Sequence, residues 1–476
     1  MATAEPTRLA SSPIEHSETL AAKGDASARK AALRVAGAGL VACDVGRATR
    51  LAVALTGDEL VVDGRRHRLD PAGRVIVVGA GKASLAIAGE LEQILGDRLD
   101  GGLIAVRGAE QRSLDRVEVL ASDHPLPSGR SVGAARRLLE LADGADERDV
   151  VIACFTGGSS ALASLPPESV AESEKHDLHE LLLSSGIGIV EVNTVRKHVS
   201  AFKGGRLAAA ALPARLINLT VSDVAGDHID SITDPSVADS TRASDAIAIL
   251  YGHGLWERTP RSIRDHLQSP LAESPALDGA EIQTVLLVTG STACDAMSLE
   301  ASGLRLNPVV ISTTLEGEAR EVGKLLANLA GHSARRGAPF AAGTVMVGCG
   351  GESTVTLART GEDQAPQQRR GSATPRWGEG GPNQEAAIAA ALELEGVPVA
   401  AVFLDTDGSD GGTAHAGAIV DGQTVPRAAA AGLDLRAALL EHRSSVALAA
   451  LEDAVVTGPT GTNVNDLFAI VVEGES

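Results

Sequence analysis

Short unbroken apolar runs, each closed by glycine, recur along this 476-residue chain. The clearest is VIVVGAGKAS, residues 75–84, where a buried-strand pattern ends, glycines turn the chain and Lys82 stands at the start of an expected helix. The same pattern returns in VIACFTGGSSAL from Val151, INLTVSDVAGD from Ile217, VMVGCGGEST from Val345 and VFLDTDGSDGG from Val402. These runs predict strands at 75–78, 150–155, 216–221, 284–288, 309–312, 344–347, 399–404 and 467–472. Spacing of Ala, Leu and Val predicts a helix over 25–53 and another after Lys82. Alternation of strands and helices predicts an α/β fold with parallel sheets. In such folds the strand-to-helix turns gather at the carboxyl edge of the sheet, where ligands bind, and helix N-termini there favour phosphate.

Length makes two domains the default. Residues 268–279 (QSPLAESPALDG) read as a linker, giving a polar tail over 1–25, a first domain over 26–270 and a second over 280–476. Residues 361–380 lack an apolar period and read as a long, functional surface loop. The tail has no apolar segment of a secretory signal, and no apolar stretch is long enough to cross a membrane.

Composition narrows the function classes. Aromatic residues make up 2% of the chain and the formal charge is -20, which argues against a nucleic-acid binder. Cys43, Cys154, Cys294 and Cys349 are widely separated, and the last three lie in or beside apolar runs. They read as buried free thiols in a reducing cytoplasm, without disulfide or zinc site.

The candidate chemistry lies at the glycine turns. Lys82 suits an anionic ligand, although a solvated lysine on a first helical turn is the plainer alternative. The 156–160 turn (TGGSS) offers backbone N–H groups and the hydroxyls of Ser159 and Ser160 to an anion, or simply caps a short helix. Residues 193–206 (NTVRKHVSAFKGGR) concentrate Arg196, Lys197, His198, Lys203 and Arg206 in an otherwise acidic chain. They read as phosphate or carboxylate ligands, or as a solvated basic face. Asp223 and Asp227 follow a strand end and suit Mg²⁺ or a general base, or turn chemistry. Asp405, Asp407 and Asp410 form a second acidic turn that lacks the final glutamate of a calcium loop. TGPTGTNVN, residues 457–465, is a further loop able to line a pocket.

Taken together, VGAGKAS, GGSSAL, EVNTVRKHVSAFKGGRLA, LTVSDVAGD, LEGEAREVG, GCGGESTVT, GGPNQEAA, DTDGSDG and TGPTGTNVNDL resemble the glycerate 2-kinase family, whose C-terminal part is the MOFRL domain. The resemblance covers nearly the whole chain and implies two Rossmann-like α/β domains with mainly parallel sheets facing each other across a cleft. It implies transfer of phosphate from ATP to the 2-hydroxyl of D-glycerate, with Mg²⁺, giving 2-phosphoglycerate and ADP. Lys82 and Asp223 fall on active-site positions of the family, and Arg196 joins them as a catalytic candidate. Gly157, Gly158, Ser159, Ser160 and Lys197 are expected to bind substrate. Gly79, Gly81, Gly350, Gly351, Glu352, Gly381, Asn383, Gln384 and Glu385 are expected to bind nucleotide, and Asp227 and Asp407 the metal. The expected partners are D-glycerate and nucleotide, with a homodimer as candidate assembly and neither nucleic acid nor membrane. Two departures stand out. Pro382 occupies a place where many members carry arginine, with Arg196 or Arg376 as substitutes, and Ala414 and His415 replace an acidic feature. The alternatives are an NAD(P)H-dependent hydroxypyruvate reductase, for which Ser84 replaces the third glycine and Asp100 is the ribose candidate, and a sugar-acid sensor.

Overall fold

A computed structural model describes residues 12–108, 113–124, 126–221, 234–351, 353–356 and 379–473. The chain divides into two compact units, one of residues 45–289 with 461–463, the other of residues 1–44, 290–460 and 464–476.

The first unit opens with an antiparallel meander, β1 (Val53–Thr56), β2 (Glu59–Val62) and β3 (Arg65–Arg68). Asp63 and Gly64 both take positive φ at the β2–β3 turn, as a two-residue hairpin requires. Six strands follow: β4 (Val75–Ala80), β5 (Gly101–Arg107), β6 (Val117–Ser122), β7 (Val150–Phe155), β8 (Arg215–Val221) and β9 (Ile282–Val288). They lie in the order β6-β5-β4-β7-β8-β9 and all run parallel. This is the doubly wound arrangement, in which the chain steps outward from β4 in one direction and then from β7 in the other. Strands β4 and β7 are buried along their whole length, so they show continuous apolar runs rather than alternation. Between β7 and β8 the chain adds helices Glu172–Leu183 and Ile189–His198, which pack with helix Ala243–Gly252 around Val195, Leu250 and Trp256.

The second unit holds β10 (Asn307–Leu315), β11 (Thr344–Gly350), β12 (Val399–Asp405), β13 (Gly417–Asp421), β14 (Ala454–Val455) and β15 (Asp466–Val472). The order is β10-β11-β15-β12-β13-β14, and only β10 and β11 pair in parallel. The α/β class is as expected in both units, but a mainly parallel sheet is found only in the first. The reason is connectivity. The chain leaves β12 and returns in β13 with no intervening helix, which forces an antiparallel pair. β15 then inserts between β11 and β12 and runs against both.

The expected domain boundary also moves. Beyond the 268–279 stretch, β9 still pairs with β8, so the first unit ends at Thr289. At the other end, helix Ala26–Ala42 belongs to the second unit. Its Arg29 is fully buried, donating to Asp421 at 3.3 Å and to Asp453 at 2.7 Å. The single helix expected over 25–53 is broken at Cys43 and Asp44, and helix Val45–Ala52 starts the first unit. All four cysteines are buried and free; for Cys154, Cys294 and Cys349 the apolar runs around them suggest as much.

Candidate active site

The doubly wound sheet of the first unit has its switch point between β4 and β7, and two of the glycine turns leave the carboxyl ends of those two strands. The turns are knitted together by backbone bonds. Thr156 N–H donates to Ala80 O (3.0 Å), Lys82 N–H to Gly157 O (2.9 Å) and Ala83 N–H to Thr156 Oγ1 (3.1 Å). Close approach dictates the first glycine here. A Cβ on Gly79 would stand 2.5 Å from Cys154 O. Gly81 faces Thr156 just as closely, so both glycines expected to bind nucleotide have a packing reason to be glycine.

Lys82 is exposed at this turn. Gly158, at φ +86°, lies beneath it: a Cβ there would be 3.8 Å from Lys82 Cγ and 3.2 Å from the His124 ring. Lys82, Gly158 and His124 therefore converge at the switch point. His124 escaped the sequence reading because β6, which delivers it, was not recognised; the signal was the β-branched run VEVL at 117–120 ahead of SDHPLP. The 156–160 turn spends part of its backbone internally, Ser159 N–H on Thr156 O and Ala161 N–H on Gly158 O.

At the end of this turn, Ser160 lines a cavity walled by Lys175, Arg196 and Lys203. The ammonium of Lys175 donates to Leu165 O and that of Lys203 to Ser160 O, each at 3.0 Å. Arg196 donates to Asn193 Oδ1 at 3.4 Å, and its Nη2 lies 3.3 Å from His179 Nε2. None of the three has a carboxylate partner among the described residues. Burial, with Arg206 and Arg196 nearby, pushes Lys175 down to about 7. Burial lowers Lys203 well below the usual lysine range and Arg196 to about 10. His179, buried beside Arg196, is held at about 3 and is neutral. Such a cluster of desolvated bases is poised for an anion.

The rest of the basic segment has other employment. Lys197, expected to bind substrate, turns instead into a buried ion pair with Asp239 at 2.5 Å. His198 bonds to Ala272 O and lies 3.0 Å from Thr241 Oγ1. Arg206 donates to the carbonyls of Lys197, Lys203, Ala272 and Glu273. Asp100 sits at the opposite edge of the sheet, where its carboxylate accepts from Val75 N–H, the first residue of β4. It cannot serve a ribose at the carboxyl edge. Ser84, in place of a third glycine, donates to Cys154 O.

In the second unit, the N-terminus of helix Pro382–Leu394 carries its own anion. Asp410 accepts from the backbone N–H groups of Asn383 (3.0 Å) and Gln384 (2.9 Å) and from the Gln384 side chain (2.9 Å). It fills the place a phosphate would take. Asn383 also donates to Asp466 at 2.6 Å, and Glu385 meets His442 at 2.7 Å. Burial raises Asp410 to about 6 and Asp466 to about 7. Gly381 packs on Asp410, Gly350 on the Leu315 carbonyl and Gly351 on Glu316. Pro382 is the first helical residue, where no N–H is needed. Asp407 accepts from Ser409 N–H and donates its own N–H to Asp405. His415 Nδ1 lies 2.9 Å from Ser445 Oγ. Among the described residues no three His, Cys, Asp or Glu side chains group as a metal site. Asp223, Asp227, Glu352 and Arg376 lie outside the described residues.

A doubly wound sheet with a lysine turn at its switch point and a basic cavity beside it is the frame of an α/β enzyme. Family models sharpen this. One described as a domain of unknown function (DUF4147) matches residues 31–268, and one described as the MOFRL family matches residues 345–466. Glycerate 2-kinase of Pyrococcus horikoshii is 35% identical over 449 residues, covering 93% of this chain and 97% of that protein. The crystal structure of glycerate kinase from Thermotoga maritima matches with a TM-score of 0.76 at 32% identity, covering 92% of this chain and 97% of that one. A relative from Agrobacterium vitis, 39% identical over 404 residues (84% of this chain, 88% of that one), carries the name hydroxypyruvate reductase only provisionally. The chain belongs to the glycerate 2-kinase family of phosphotransferases. No described helix is long and apolar enough to cross a membrane.

Proposed function

We propose that the protein transfers the γ-phosphoryl group of ATP to the 2-hydroxyl of D-glycerate, giving 2-phosphoglycerate and ADP. The observation that carries this reading is the basic cavity beside the β7 turn, which suits the substrate carboxylate. Arg196 binds that carboxylate, with the 156–160 turn at its edge. Lys82, across Gly158, neutralises the phosphoryl group in flight. Asp223, from the family resemblance, accepts the hydroxyl proton. Nucleotide is assigned to backbone at 79–82, since the side chains of Asn383, Gln384 and Glu385 are engaged within their own unit. Mg²⁺ needs only one or two carboxylates besides the phosphates, and Asp227 is the proposed ligand. Bound there, it would offset charge on the β and γ oxygens.

The test is a ³¹P NMR time course with purified protein, D-glycerate, ATP and Mg²⁺. A 2-phosphoglycerate signal rising with ADP supports the reading; its absence refutes it. Lys82→Ala is expected to lower kcat/KM for glycerate at least about tenfold, the worth of a charge-assisted contact. A change under about threefold removes Lys82 from the mechanism. The buried free thiols support a cytoplasmic setting. Light scattering on the purified chain decides the proposed homodimer.

A further inference from the structure

The cavity beside the 156–160 turn has more basic groups than one glycerate carboxylate can match. They come from separate pieces of chain: Lys175 on helix Glu172–Leu183, Arg196 on helix Ile189–His198, and Lys203 beyond it. Glu172 is the one carboxylate among the described lining residues. His179 is neutral against Arg196, and His176 lies 3.4 Å from Glu180. Lys203 is only 3% exposed, and among the described residues its ammonium and that of Lys175 each have one acceptor, a backbone carbonyl. An ammonium has three donors, so most of this hydrogen-bonding capacity is unspent. Arg196 Nε is buried without a partner among the described residues.

Lys203 is buried and Lys175 and Arg196 are half-buried; a base so placed without a counter-charge is costly, and a monoanion satisfies only part of this set. A tetrahedral oxyanion presents oxygens in several directions at once and carries a second charge. Ser164, on the same wall, adds a hydroxyl. We infer that the cavity is a binding site for a small tetrahedral dianion, sulfate or inorganic phosphate, held between Lys175, Arg196 and Lys203. Occupying the place of the substrate carboxylate, the dianion competes with glycerate. The competition rests on the proposed glycerate reading; the binding rests on the cavity alone. Lys175 was not singled out by sequence, and it is the residue that takes the site beyond what a carboxylate requires.

The experiment is calorimetric titration of sulfate into the full chain in chloride buffer, without glycerate or nucleotide. One saturable site is expected, weakened at least about tenfold by Lys175→Gln and by Arg196→Gln, and restored by Lys175→Arg. Lys324→Gln, at an exposed position of the second unit, is the control and leaves the site intact. Absence of saturable binding, or a site indifferent to both Gln substitutions, overturns the inference. If Lys175→Gln fails to fold by circular dichroism, Arg196→Gln and Lys175→Arg decide. In the kinase assay, sulfate is expected to raise KM for glycerate and leave kcat unchanged; inhibition that glycerate does not relieve overturns the shared position. Sulfate binding without any 2-phosphoglycerate formation refutes the kinase reading and leaves the dianion site standing. Turnover without sulfate binding refutes the dianion site alone.

Discussion

At the scale of single residues, the buried and half-buried bases of the cavity make anion binding and protonation inseparable. Lys175 is held at about 7 by burial and by Arg206 and Arg196, and it also faces Lys203, His176, His179 and Glu172. The bound anion needs the ammonium form. Below about pH 7 that form is already present in the free protein; above it, a proton must be taken up on binding. Sulfate affinity is therefore expected to fall as pH rises through the Lys175 value. Sulfate does not itself titrate there, so calorimetry from about pH 6 to about pH 9 reads the protein alone. A flat profile would contradict the placement of Lys175. Stability of the anion-free chain runs the other way. Between about 7 and the ordinary lysine value, the unfolded chain binds the proton that folded Lys175 does not, so this group's contribution to stability rises with pH. Arg196 and Lys203 were legible in sequence as basic residues in an acidic chain. Lys175 was not, because EKHDLHE reads as an ordinary solvated helix face, and only the fold shows which way each charge turns.

At the scale of elements, the strands were the most legible features, because a strand covered on both faces is a short unbroken apolar run. The expected run at 150–155 coincides with β7, and that at 399–404 stops one residue short of β12. The same burial concealed strand direction, since parallel and antiparallel strands look alike once both faces are covered. The meander β1–β3 was missed although Asp63-Gly64 marks its hairpin, because the strands are only four residues each and β3 (RRHR) is almost all basic. Glycines expected to cradle nucleotide turned out to serve strand packing. Gly79→Ala would set a Cβ 2.5 Å from Cys154 O and push β4 from β7 at the switch point. A loss of roughly 1–3 kcal/mol or more is expected in urea unfolding. Gly133→Ala is the counterpart: it lies inside helix Gly129–Asp143 with nothing near its Cβ, and should gain about 0.5–1 kcal/mol. If both substitutions had the same sign, close packing would not be what keeps position 79 a glycine.

At the scale of the whole molecule, sequence order and spatial unit part company at both ends of the first domain. The Pro- and Ser-rich stretch at 268–279 looked like a boundary because loops and linkers share that composition, yet β9 follows it and completes the parallel sheet. Helix Ala26–Ala42 precedes the first unit in sequence but is fixed to the second by Arg29, whose partners Asp421 and Asp453 lie some 390 to 420 residues further on. Nothing local in sequence announces such a pairing. Removing this cation leaves two carboxylates buried without it, so Arg29→Ala is expected to cost roughly 3–5 kcal/mol. The two possible boundaries also predict different fragments. Residues 45–289 carry all six parallel strands and are expected to unfold cooperatively in urea. Residues 26–270 lack β9, leave the long edge of β8 open and drag along a helix whose Arg29 has lost both partners. That fragment is expected to aggregate or unfold at lower denaturant, because an uncovered apolar edge strand pairs with other chains. Equal stability of the two fragments would restore the boundary that composition alone suggested.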